Sequence, residues 1–347
     1  MTNDFLNYSL TAADWRKQLQ INQERTKLVL GVFVLIYLAV GLLIDIYTHT
    51  NLDNVTLIEA ISSLLTFKVL PAASIIMVSI AIISILITFA LHDKIMLLGT
   101  TYREINEKNA NSLEEKQLYN VVAELQMAAS LRYLPKIYII DAPYMNAFAS
   151  GYSEKSAMIA ITLGLLQKLS RSELQAVIAH EMSHIRHQDI KLTLAISVLS
   201  NIMIIAIDVL FRSMLFGGRR KRDDNGLLII ITILRFVLPL LTVVLYLYLS
   251  RTREFMADAG AVELTRDNNG LAKALIKISD DHTNNQEAYS KEYNLAGHED
   301  IRRASYIFDP TQAGVQMQQS IAATMFSTHP PLQQRLAALG IKTQKKF

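Results

Sequence analysis

The sequence predicts a mainly helical membrane protein carrying one α+β domain with a small β-sheet, and three observations lead there. Hydrophobic residues make up 51% of the 347 positions and charged residues only 19%, with a mean hydropathy of +0.25, a composition that calls for clustered apolar residues. The apolar residues do cluster, in four runs at 28–44, 69–91, 192–211 and 227–250. Between and after these runs lie segments whose apolar spacing alternates between helical and strand periods.

The first run is uncharged over about 17 residues, near the shortest length that crosses roughly 30 Å of hydrocarbon. The second offers 23 uncharged residues between Lys68 and His92, with Pro71 near its start, where proline disturbs a helix least. The third and fourth are interrupted by Asp208 and by Arg235 and Pro239, and the polar turn GGRRKRDDNG joins them. A charge at the centre of a membrane helix costs about 2.5–3.5 kcal/mol unless paired or wet, so Asp208 and Arg235 are expected to face each other or a polar interior. A hairpin only partly sunk in the bilayer is the other reading of this pair.

The segment from 93 to 191 reads as helix, strands, helix. Leu118, Val121, Val122, Leu125 and Ala128 have helical spacing within 112–130. KIYII at 136–140 and SAMIAI at 156–161 read as strands around a turn near Gly151. Ser170 and Glu173 form a capping box that opens a helix running through RSELQAVIAHEMSHIRHQD. The tail from 251 is mostly helical, with a polar stretch at 280–299 expected to be a loop. Four parts follow: 1–91 with an amino-terminal tail and two spans, 92–191 and 251–347 as two halves of one domain, and the hairpin 192–250 between them.

The first 26 residues are mostly polar and no small-residue cleavage site follows the first run, which therefore reads as a retained anchor. Arg16, Lys17, Arg25 and Lys27 precede that run, and residues 49–67 contain no Lys or Arg. The positive-inside rule then places the amino terminus and the 93–191 segment in the cytoplasm. Arg219, Arg220, Lys221 and Arg222 would fall outside if the hairpin crosses fully, which favours its being partly sunk. A net charge of +3 without a basic block leaves no footprint for nucleic acid. The absence of cysteine rules out disulfides, thiolate metal sites and a cysteine nucleophile, and fits a reducing compartment.

The chemistry points to His180, Glu181, Met182, Ser183 and His184, an H-E-x-x-H pattern on the capped helix. Four residues bring both imidazoles to one face, where they can hold one zinc ion, with Glu181 placed to accept a proton from the attacking water. A catalytic zinc needs a third protein ligand. Glu254 and Asp258, also four apart and just after the last apolar run, supply a candidate ligand and a carboxylate to hold the far nitrogen of a ligand histidine. A further histidine ligand on such a helix stands six positions beyond the second; His187 stands three beyond and reads as a surface histidine.

With NAFASG at 146–151, the run GLLQKLSRSELQAVIAHEMSHI, REFMADAGAVEL from Arg253 and FSTHPPLQQRL from Phe326, the chain resembles the HtpX-type membrane metalloproteases, relatives of the CAAX prenyl endoproteases. The resemblance extends over nearly the whole chain. It implies a zincin-like catalytic domain of gluzincin type, one Zn2+ per chain on His180, His184 and Glu254, Glu181 as base and Asp258 behind the ligands. It also implies that NAFASG is a β-edge for substrate, so that Asn146, Ala147 and Phe148 contact the peptide, with Asn146 holding a substrate carbonyl. His329 would donate to the developing oxyanion, and Arg335 would lie with the substrate-binding residues. The implied task is stress-linked quality control: endopeptidase cleavage of damaged or misfolded membrane proteins, at the cytoplasmic face of a bacterial inner membrane, by a multi-pass protein.

Two rivals remain at this stage. A non-catalytic membrane scaffold with a structural metal would need a fourth protein ligand, for which His329 is the evident candidate. A prenyl-processing enzyme would need more spans than the four runs allow.

Overall fold

The computed structural model describes residues 15–52, 55–188, 203–204, 207–208, 211–212, 225–296, 299–303, 305–316 and 329–341. Two units divide them: one draws on Thr26–Ala90 and Ala195–Leu245, the other on Met1–Arg25, Leu91–Leu194 and Tyr246–Phe347.

In the first, apolar unit, α1 (Trp15–Leu52), α2 (Leu57–Leu65) and α3 (Ala72–Ala90) follow one another. Lys27–Ile46 and Ala72–Ala90, 20 and 19 residues, are long and apolar enough to cross a membrane. At about 1.5 Å per residue each covers close to the 30 Å of a hydrocarbon core. Helix α2, in the stretch between the two runs, starts at a capping box in which Thr56 and Glu59 bond each other's backbone N–H. Gly41 lets α1 meet α3 closely, since a Cβ there would come within 2.4 Å of the Ser74 Cα. One turn on, the buried Asp45 carboxylate accepts the N–H groups of Ala73 and Ser74 at 2.9 and 2.8 Å and the Ser74 hydroxyl at 2.7 Å. A buried acid is thereby matched to the unpaired donors that every helix start presents. Asp208, expected to find a counter-charge, sits 2.6 Å from Arg212 and 2.9 Å from Arg235. Most of the third apolar run and the GGRRKRDDNG turn, apart from Asn225 and Gly226, lie outside the described residues.

The second unit begins with α4 (His92–Leu97) and β1 (Tyr102–Ile105), neither expected from the sequence. Helix α5 (Leu113–Ala128) follows a Ser112–Glu115 capping box and buries Leu118, Val121, Val122 and Leu125 of the predicted stripe, whereas Ala128, its last member, is exposed and Ala129 is buried instead. Strands β2 (Lys136–Ile140), β3 (Ala147–Ser150) and β4 (Met158–Thr162) complete a four-stranded sheet of order β1-β2-β4-β3. Only β2 and β4 run parallel. Helix α6 (Leu163–Lys168) leads to α7 (Arg171–His187), whose start is closed by the predicted box: Ser170 N–H to Glu173 at 2.8 Å and Glu173 N–H to Ser170 at 3.5 Å. Such caps contribute about 1 kcal/mol each.

Helix α8 (Asn225–Thr265) contains the fourth apolar run, and α9 (Asn269–Asn284), α10 (Gln286–Leu295), α11 (Glu299–Arg303) and α12 (Leu332–Ala338) complete the chain. The core joins Ile137, Ile139, Ile159 and Ile161 of the sheet to Leu174, Val177, Ile178 and Met182 of α7 and to Leu271, Leu275 and Ile278 of α9. The polar stretch at 280–299, expected as a loop, is instead mostly helix. Tyr289 and Tyr293, four apart, bury one face of α10 while its charged residues stay outside. Two aromatic anchors replace the longer apolar stripe that marks most helices.

Candidate metal centre

Helix α7 is buried at Leu174 and throughout 176–183, so its histidines are held by a fixed core and not by a loop. His180 and His184 present Nε2 atoms 3.2 Å apart. Glu254, 74 positions after His180, brings Oε2 within 3.7 Å of the His180 Nε2 and Oε1 within 3.6 Å of the His184 Nε2. Among the described residues this is the group of acids and histidines that could hold a metal ion. Tetrahedral zinc with ligands at about 2.0–2.1 Å separates neighbouring ligand atoms by roughly 3.3–3.4 Å, so the three atoms fit one ion after small shifts. The donor set, two imidazoles and a carboxylate, suits zinc chemically.

The charge states also fit. Burial pushes His180 below the ordinary imidazole range, which keeps its ring neutral and its lone pair available. Burial opposes charge on Glu254, yet His329, His184 and Arg335 outweigh it and hold the carboxyl well below its usual range.

Asp258 sits one helical turn beyond Glu254 and places Oδ1 3.0 Å from the His180 Nδ1. That approach, outside good hydrogen-bond geometry, sets an anion beside Nδ1, the arrangement that favours a proton there and leaves Nε2 for the other ligands. Arg335 grips the same carboxylate with two prongs, Nε at 2.9 Å and Nη2 at 2.6 Å, and donates Nη1 to the Ile307 carbonyl at 2.5 Å. Burial works against the Asp258 charge, but Arg335 and His180 bring its pKa below normal. Arg335, expected among the substrate contacts, is 2% exposed and clamps Asp258.

Glu181 lies in the same centre with the opposite surroundings. Neither carboxylate oxygen meets hydrogen-bond geometry with a protein group, although both are buried. Burial pushes its pKa up to about 8, partly offset by His184. His329 brings Nδ1 to 3.2 Å from Glu254 and Nε2 to 3.3 Å from the Arg303 carbonyl, so it joins the ligand cluster from a third element.

The stretch 146–148, expected to meet substrate, is buried. Asn146 is wholly buried; its amide donates to the Tyr293 hydroxyl at 3.3 Å and the Phe308 carbonyl at 3.0 Å, and its oxygen accepts the Ala147 N–H at 3.1 Å. The Ala147 carbonyl accepts from Ile307 at 2.9 Å, and Phe148 forms a bridge with Tyr306, ring against ring at 5.8 Å. The chain's own Tyr306 and Ile307 thus pair with the Ala147–Phe148 end of β3. His187, expected on the surface, is 3% exposed, with Nδ1 3.4 Å from the Ser183 hydroxyl.

Sequence reasoning missed the polar brace beneath this edge. His282 donates Nδ1 to the Ile278 carbonyl at 2.8 Å, leaving Nε2 to accept the Tyr293 hydroxyl at 2.9 Å. Burial lowers His282 to about 4, in keeping with that neutral tautomer. Tyr144 stacks on Tyr293 at 4.0 Å. Regular tyrosine spacing in α10 was the signal available.

Comparison with known proteins agrees with this geometry. The description of peptidase family M48 matches residues 112–342. A protease HtpX homolog of Helicobacter pylori (strain Shi470) is 39% identical over 94% of this chain and 98% of its own length. One from Thermoanaerobacter pseudethanolicus is 32% identical over 92% and 94%. Among solved structures, S. mikatae Ste24p aligns with 92% of this chain and 66% of its own, at 19% identity and a TM-score of 0.44, a likeness too slight to build on. From the matched span and the relatives' near-complete overlap it follows that the chain belongs to peptidase family M48 and to its HtpX proteases, and is a metallopeptidase.

Proposed function

We propose that the chain is a membrane-bound zinc endopeptidase that cleaves damaged or misfolded membrane proteins at their cytoplasmic parts. The observation that carries the proposal is the convergence of His180, His184 and Glu254 from two helices beside the buried Glu181. The two helices long enough to cross a membrane support a bilayer setting, and the charge bias around the first supports the cytoplasmic side.

Zinc, when bound, would supply Lewis acidity to the scissile carbonyl and the attacking water. The protein's own groups do the rest. Glu254 offers an anionic oxygen, and Asp258 holds His180 in the tautomer that offers Nε2. Glu181, buried beside the two ligand histidines, is the carboxylate we assign to take a proton from water and return it to the leaving amine. His329, beside Glu254, is the donor we assign to negative charge developing on the carbonyl oxygen.

Glu181→Gln tests this directly. With wild-type chain and variant in zinc-containing proteoliposomes and a loosely folded membrane protein as substrate, the variant should retain zinc and lose cleavage by about 10²–10⁴-fold. Full cleavage by the variant would overturn the assignment.

A further inference from the structure

Gly260 stands in the interior of α8, two residues beyond Asp258 and six beyond Glu254. Its φ is not among the positive ones, so it is not there to permit a left-handed turn. For the helix itself it is a poor choice, since alanine is favoured over glycine in a helix interior by about 1 kcal/mol. What it does is admit another element. A Cβ at Gly260 would fall 2.1 Å from the Ser183 Oγ and 2.8 Å from the Ser183 Cβ, with the His187 Cε1 next at 4.0 Å.

Ser183 is buried and lies in α7 between Glu181 and His184. Rotating its hydroxyl would clear the Oγ contact. The Cβ contact would remain, because both atoms are fixed to helical backbone. Carbon atoms need about 3.5–4.0 Å, so a methyl group at Gly260 would force the helices apart by roughly 0.7–1.2 Å at this point. Metal ligands tolerate departures of only about 0.2 Å. Glu254, about 9 Å along the same helix by its rise of 1.5 Å per residue, would move with it.

We propose that Gly260 is a positioning residue of the metal centre: its missing side chain, seated on Ser183, sets the separation at which Glu254 meets His180 and His184. This rests on the reading of those three residues as the metal ligands. Gly260 touches neither metal nor substrate and acts through the helix that carries Glu254 and Asp258. Helix propensity and positioning then make opposite predictions for Gly260→Ala, one a gain in stability and the other a loss of metal.

The test is zinc affinity of the full-length protein in detergent, measured by competition with a chromophoric chelator, for wild type, Gly260→Ala, Ser183→Gly and the double variant Ser183→Gly/Gly260→Ala. Gly260→Ala should weaken zinc binding by about 10–100-fold, the range seen when groups supporting metal ligands are disturbed. The double variant, with room restored opposite the new methyl group, should bind within about threefold of Ser183→Gly. If Gly260→Ala fails to fold, recovery of folding and zinc binding in the double variant supports the proposal. Equal affinity of wild type and Gly260→Ala, or a double variant as weak as the single, would overturn it while leaving the ligand assignment intact. Failure of the wild-type protein to bind zinc would bring down both.

Discussion

Asp258 and Glu181 are buried carboxylates of one centre, furnished in opposite ways. Asp258 is clamped by a two-pronged arginine and lies 3.0 Å from the His180 Nδ1, with its pKa drawn down. Glu181 has no such clamp: neither oxygen has a partner in good hydrogen-bond geometry, and burial drives its pKa up to about 8, an effect the Ala149 backbone offsets only in part. The difference separates support from chemistry. A group whose charge is fully compensated holds a ligand in place, whereas one left uncompensated keeps the proton affinity a base needs.

The comparison can be broken at its stronger side first. Arg335→Met should leave the Asp258 charge buried without its clamp, lowering stability by about 3–5 kcal/mol in chemical denaturation. A change below about 1 kcal/mol would mean that Asp258 is not held by Arg335.

The weaker side has a pH signature in metal-free protein. Because the folded-state pKa of Glu181 is raised, the folded chain keeps a proton that the unfolded chain releases above the ordinary value of about 4.3. The stability tied to this group is therefore complete below that value and is lost as pH rises toward about 8, by at most about 1.4 kcal/mol per pH unit. Asp258 acts in reverse: its contribution is present above the ordinary carboxylate value and lost as pH falls through its depressed folded value. Glu181→Gln should remove the downward slope between pH 5 and 8 in about the amount stated. An unchanged slope would place the protonation elsewhere.

A smaller effect sharpens the contrast. Asp258→Asn keeps the shape but not the charge against His180, and should weaken zinc binding by about 10–100-fold while leaving some hydrolysis in saturating zinc. Unaltered affinity would reduce Asp258 to a packing role.

The two sides also differed in how well the sequence disclosed them. The H-E-x-x-H spacing, the Ser170–Glu173 cap and the core stripe of α5 are local patterns, and each appears where its period puts it. Glu254 and Asp258 were legible because they repeat the four-residue interval of one helix face. The grip of Arg335 on Asp258 spans 77 positions and is a product of tertiary packing, which no local period encodes. The same holds for Asn146, whose motif reads as an exposed edge until Tyr293 and Phe308 turn its amide inward. Helix α10 was read as loop because it carries two buried tyrosines where a longer apolar stripe would be expected. His187 looked like surface because its sequence neighbours are polar, yet α8 packs Gly260 against that turn.

Zinc content of the purified Glu254→Ala protein, measured by elemental mass spectrometry after dialysis, tests the centre most directly. The account predicts about one zinc per chain in the wild-type protein and essentially none in the variant, since two histidines alone do not make a closed zinc site. A variant that retains its zinc at the wild-type level would contradict it.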